Sequence, residues 1–156
     1  MKSRTLCVSR FFLLLLNAIA ILTRAEIQTT EDLQWLPPTD SRFVVSGLPF
    51  FQENQGKWWR FPQRAEAQVP PAVWRLSQCP SGGRIRFRSD TTALGVRLTY
   101  PSLPGMRNMH AFGQAGVDAY VDGQYIASVA PRGATEVEAF FFKNVDKRVR
   151  EYTLYL

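Results

Sequence analysis

The chain has 156 residues, 46% of them hydrophobic and 13% aromatic, with a formal net charge of +6. Four of its nineteen basic residues and none of its thirteen acidic ones precede residue 26, so the remainder carries only +2 and gives no electrostatic case for nucleic acid. Beyond that point Cys79 is the sole cysteine and His110 the sole histidine, which excludes an internal disulfide and a structural zinc site there; no metal and no cofactor are expected.

The first element in chain order is a targeting segment. Lys2, Arg4 and Arg10 precede an apolar run from Phe11 to Leu22 broken only by Asn17, and Thr23-Arg24-Ala25 follows. A helical secretory signal over residues 1–25, cut after Ala25, is the expectation, with an uncleaved anchor as the alternative. The apolar run is shorter than the ~20 residues a membrane helix needs. No stable membrane span is therefore expected after cleavage, and the product is expected to be exported, periplasmic or extracellular. Cys7 lies before the apolar run, not where a lipoprotein cysteine would stand.

Residues 26–42, with Pro37-Pro38, read as a loosely held lead-in. Residues 43–156 then alternate short strand-like runs with turn residues. Phe43 to Gly47, Lys57 to Phe61 and Val73 to Ser77 are such runs, the last two bounded by Pro62 and by Pro70-Pro71. Arg84, Arg86 and Arg88 alternate with Ile85 and Phe87, and Leu94, Val96 and Leu98 alternate with Gly95, Arg97 and Thr99. A hairpin through Ser89-Asp90-Thr91-Thr92 is expected to join these two. Val117 to Val121 should pair with Gln124 to Ala130 across Asp122-Gly123, a dipeptide suited to the positive φ angles of a two-residue turn. Val137 to Phe142 and Tyr152 to Leu156 complete the strands. Only residues 62–69 and 144–150 have room for a helical turn. About eight short strands with Pro and Gly punctuation predict an all-β domain, an antiparallel β-sandwich of jelly-roll type.

Two features bear on what lies beyond this layer. Phe140-Phe141-Phe142 makes both faces of one strand apolar, as in a fully buried strand or one covered on its outer side by a second domain. The chain also stops within an alternating strand at Tyr155-Leu156, from which a longer polypeptide is expected.

Catalytic residues are not evident. No Gly-x-Ser-x-Gly elbow and no Gly-Asp-Ser block occurs, and the residue three before His110 is Arg107 rather than an acid. His110 reads as an ordinary loop histidine or as a contact to a neighbour. Cys79, followed by Pro80-Ser81-Gly82-Gly83, is expected to be a buried or half-buried structural thiol. Trp58 and Trp59 could stack on sugar rings or simply pack in a core. The arginine stripe at 84, 86 and 88 could meet an acidic partner or stay solvated. Asp118 and Tyr120, on the polar side of their strand, present an acid and a phenol to whatever lies outside.

Gly116-Val117-Asp118-Ala119-Tyr120 resembles the Gly-x-Asp-Leu-Tyr signature of the small N-terminal β domain that precedes the catalytic domain in one group of SGNH-type (GDSL-like) esterases, with Ala in place of Leu. The likeness continues through Arg60-Phe61-Pro62, Val73-Trp74-Arg75-Leu76-Ser77, Ser81-Gly82-Gly83, Arg84 to Phe87, Ser89-Asp90 and Met109-His110, covering residues 55–156 in order. The resemblance implies a non-catalytic accessory domain that packs beside an esterase active site and helps shape it. The implied partner is a catalytic SGNH domain, normally on the same polypeptide, and its substrate would be an ester such as an acylated polysaccharide. On that reading Asp118, Tyr120, His110 and Met109 face the partner. The alternative is a stand-alone secreted carbohydrate-binding sandwich using Trp58 and Trp59.

Overall fold

Asp122 and Gly123 both adopt positive φ (49° and 79°), the geometry of the tightest hairpin turns. They join β4 (Val117–Val121) to β5 (Gln124–Val129), with a register shift between Ala119 and Tyr120. The computed structural model describes residues 26–103 and 105–156, so the expected signal segment lies outside the described residues. Around the hairpin are β1 (Val44–Ser46), β2 (Arg84–Ser89), β3 (Leu94–Thr99), β6 (Glu136–Phe142) and β7 (Arg150–Tyr155), with short helices α1 (Pro71–Ser77) and α2 (Ala111–Ala115). The described residues form antiparallel sheets with few helices. One sheet has five strands in the order β1-β2-β7-β4-β5, the other pairs β3 with β6.

The core lies between the sheets. Val117, Ala119, Val129, Phe141 and Leu154 are buried together, and Ile85, Val96 and Leu98 pack against them. Alternation sends these side chains inward and their neighbours outward, as the period of two requires.

Several expectations from the sequence are corrected. The hairpin between residues 84–88 and 94–100 does not form. β2 pairs with β1 and β7, whereas β3 pairs with β6, so Ser89 to Thr92 crosses from one sheet to the other. The apolar sides of both strands face the same core from opposite layers, which buries more than lying side by side would. Within the crossover Ser89 Oγ accepts from the Thr91 amide (3.1 Å) and Thr91 Oγ1 donates to the Ala93 carbonyl (2.7 Å).

Val73 to Ser77 is helix, not strand. Pro71 occupies its first turn, where a missing amide costs nothing, and Trp74 and Ser77 form its buried side at helical spacing. Arg60 closes the other end: its backbone amide donates to the Ser77 carbonyl (2.7 Å) and its Nη2 to the Leu76 carbonyl (2.7 Å). Lys57 to Phe61 is likewise not a strand. The side chain of Asn54, 2% exposed, donates to the Phe61 carbonyl (2.8 Å) and accepts from the Gln63 amide (2.9 Å), diverting backbone groups that a ladder would need. A 3-10 turn spans Gln63–Gln68 as expected, but residues 144–149 hold no helical turn.

The lead-in is not loose. Its 3-10 turn (Thr30–Asp32) lies against β6. The Ile27 amide donates to Asn144 Oδ1 (2.9 Å), Asn144 Nδ2 returns to the Ile27 carbonyl (3.0 Å), and Lys143 Nζ reaches the Gln28 carbonyl (3.1 Å). Arg97, paired with Glu138 at 2.5 Å, sits 4.5 Å from the centre of the Trp35 ring. Gly95 makes room for the strap, since a Cβ there would lie 2.6 Å from Leu33 Cδ1. This bears on the three phenylalanines. A register shift between Leu94 and Gly95 lets Phe141 join the core and Phe142 stack on Tyr152 (5.8 Å), leaving Phe140 opposite Gly95 on the strapped side.

Candidate functional site: the outward face of the five-stranded sheet

Cross-strand partners share a face, so the register defines what the five-stranded sheet displays. One row reads Ser46, Arg84, Tyr155, Asp118, Ser128; the next reads Val44, Arg86, Thr153, Tyr120, Tyr125. Asp118 and Tyr120 therefore lie on β4, between the central β7 and the edge strand β5, on the aromatic side of this surface. Tyr120 meets Tyr125 (5.7 Å, 72°) on one side and Tyr155 (5.2 Å, 69°) on the other, both edge to face. Tyr125 is 56% exposed and Tyr155 39%.

The acid is oriented rather than free. Ser128 Oγ donates to Asp118 Oδ1 at 2.5 Å and lies 2.9 Å from the Tyr125 hydroxyl. A serine hydroxyl has one proton; with that spent on Asp118, the tyrosine is the donor in the second bond. The chain Tyr125 to Ser128 to Asp118 thus runs towards the carboxylate and fixes its rotamer.

His110 and Met109 occupy a different place. They line an open cavity of about 660 Å³ with Leu103, Arg107, Asn108 and Gln114, and neither Asp118 nor Tyr120 reaches it. Gln114 organises this loop by accepting from the Met106 amide (2.9 Å) and donating to the carbonyls of Met106 (2.9 Å) and Met109. Tyr100 anchors its far end through a 2.5 Å bond from its hydroxyl to the Ala115 carbonyl, and burial pushes that phenol's pKa up. The loop shows its apolar side chains to the outside: Leu103, Met106, Met109 and Phe112 are all exposed. His110 stacks on Phe112 (5.2 Å, 6°), and its Nδ1 accepts from the Phe112 amide at the head of α2. Among the described residues it has no carboxylate hydrogen-bond partner to orient it as a catalytic base.

Trp58 and Trp59 are half-buried. Trp58 packs on Phe51 (4.8 Å), and Trp59 lies between the edge of Trp74 (5.3 Å) and Lys57 Nζ (4.4 Å). Cys79 is exposed, contrary to the buried thiol expected, because it stands in the turn that follows α1. Sequence reasoning put Asp118 and Tyr120 on the outward side of their strand but did not bring Tyr155, Tyr125 and Ser128 beside them. Alternation within each strand placed these outward; that β7 lies beside β4 was not written locally.

Residues 33–156 match the family model described as "GxDLY: N-terminus of Esterase_SGNH_hydro-type". The chain belongs to that family. The GxDLY fold is also found in solved structures. A protein assigned as a GDSL-like lipase of Bacteroides ovatus ATCC 8483 superposes with a TM-score of 0.59 at 22% identity, over 73% of this chain and 36% of that one. The salicylyl-acyltransferase SsfX3 of a tetracycline biosynthetic pathway gives 0.56 at 20% identity, over 78% of this chain and 34% of that one. The GxDLY chain thus spans about a third of the length of each. No curated protein matches it.

Proposed function

We propose that this chain is the non-catalytic N-terminal accessory domain of an exported SGNH-type esterase, packing beside a catalytic domain and helping shape its active site. The observation that carries the reading is the family match across residues 33–156, together with an outward sheet face rich in tyrosine and arginine. Asp118 and Tyr120 contribute to the face turned towards the catalytic half. Met109 and His110, on the loop that Gln114 braces beside the cavity, form a lip near the substrate entrance. Ester-linked acyl groups on extracellular polysaccharide are the substrate class this reading favours for the assembled enzyme. Export rests on the basic and apolar leader of residues 1–25.

The nucleotide sequence beyond the Leu156 codon tests the proposal. A serine block of the Gly-Asp-Ser type and a later Asp-x-x-His are expected in frame or in an adjacent gene, and their absence from both overturns it. Purified residues of this chain alone should hydrolyse no ester. Hydrolysis abolished by His110→Ala would place the chemistry here instead.

A further inference from the structure

We infer that the outward face of the five-stranded sheet docks the catalytic domain through an acidic patch on that domain, held by Arg84, Arg86 and Arg88. This rests on the accessory-domain reading and names the surface and the charge of its partner.

Alternate residues of a strand recur about every 6.6 Å on one side, so β2 carries three guanidinium groups in a line. All three are exposed, and none forms an ion pair among the described residues. Other arginines of the chain do find acids: Arg42 with Asp40, Arg64 with Glu53, Arg97 with Glu138. The two acids on this face offset the row only in part. Glu151, the cross-strand neighbour of Arg88, makes no ion pair among the described residues, and Asp118 accepts from Ser128 but pairs with no arginine, so three cations face two acids. Positive charge therefore remains on a flat sheet surface, where an acidic partner would complement it.

The neighbouring aromatics point to a protein surface rather than a sugar. Tyr120 packs edge to face with both Tyr125 and Tyr155, so ring faces that a pyranose would stack on are partly taken by adjoining ring edges. The Arg84 guanidinium lies 5.8 Å from the centre of the Tyr155 ring, joining the cationic line to the aromatic group. Arginine and tyrosine are the residues that most often dominate protein interfaces, and the arginine fork suits carboxylates two at a time.

The test labels arginines with phenylglyoxal on the full chain, alone and with the catalytic domain added, and reads the sites by mass spectrometry. Labelling of Arg84, Arg86 and Arg88 should fall about tenfold on association, while Arg75 on α1 is unchanged. The R84E/R86E/R88E variant should bind the catalytic domain about tenfold or more weakly, and the salt dependence seen with the unaltered chain should largely vanish. The footprint on the unaltered chain stands as evidence whether or not the variant folds. Association with undiminished labelling of the row, or undiminished affinity in a folded variant, overturns this inference and leaves the accessory role intact. Failure of the unaltered chain to associate at all overturns both. Retention on a polygalacturonate gel that the variant loses, with association to the catalytic domain unaffected, assigns the row to an acidic glycan and overturns the docking proposal.

Discussion

Tyr152 and Tyr155 sit three residues apart on β7 and lead opposite lives. Tyr152 points inward, is fully buried, and stacks between Phe87 (5.1 Å) and Phe142 (5.8 Å), with Phe43 packed on the far side of Phe87 (5.1 Å). Its hydroxyl lies near the buried Arg150 guanidinium but makes no hydrogen bond of good geometry among the described residues. Tyr155 points outward beside Arg84 and Tyr120, exposed and available. The same residue type serves the core through a buried ring and the surface through a ring that meets Tyr120 and Arg84 with its hydroxyl in reach of solvent. The polar atom that is a burden inside is an asset outside.

That contrast can be broken most forcefully at its inner member. Tyr152→Ala removes the middle ring of the column and should lower unfolding free energy by about 3–5 kcal/mol in denaturant titration. Tyr152→Phe keeps the ring and sheds the unpaired hydroxyl, so stability within about 1 kcal/mol of the parent, or above it, is expected. A loss of several kcal/mol there would show that the hydroxyl has a partner after all. Asn54 supplies the opposite polar case, buried yet bonded at both ends of its amide. Asn54→Ala should cost about 2–3 kcal/mol by stranding the Phe61 carbonyl and the Gln63 amide. An effect below that of Tyr152→Phe would mean those groups find other partners.

The outer member should separate stability from contact. Tyr155→Ala is expected to change unfolding free energy by about 1 kcal/mol or less, while weakening association with a catalytic domain about tenfold. A large stability loss with unchanged association would return Tyr155 to a merely structural role.

The smallest effect concerns Asp40, whose carboxyl is held at about 2, below its ordinary 3.8, chiefly by the Arg42 side chain and then by the Arg42 amide. A depressed carboxyl stabilises the fold above its unfolded pKa and loses that contribution as pH falls through the folded value. The loss should therefore begin below about pH 4 and be complete only once the pH is below about 2. The effect on overall stability should be slight, because the Arg42 side of the pair is open to solvent. An NMR titration midpoint for Asp40 near 3.8 would remove the interaction from the account.

Much of the fold was legible along the chain. The β4–β5 hairpin was announced by Asp122-Gly123, whose positive φ angles are a local demand that few residue pairs meet. The positions of β2 and β3 followed from alternation to within a residue, whereas β7 begins two residues before the expected Tyr152; Asp118 and Tyr120 were placed outward by the same rule. Short apolar runs beside prolines were the weak point. Val73 to Ser77 has two periods available, and Pro71 with the buried Trp74–Ser77 spacing settled it as helix. The chain's own amino acids thus determined its β character, its tight turn, its two-sided strands and the family motif on β4. Only the tertiary structure decided that β2 and β3 belong to different sheets, that the lead-in straps β6, and that Arg84, Tyr155 and Asp118 form one row. Turn chemistry and alternation act over a few residues, whereas strand neighbours are chosen by which pairing buries the most apolar surface across the whole domain.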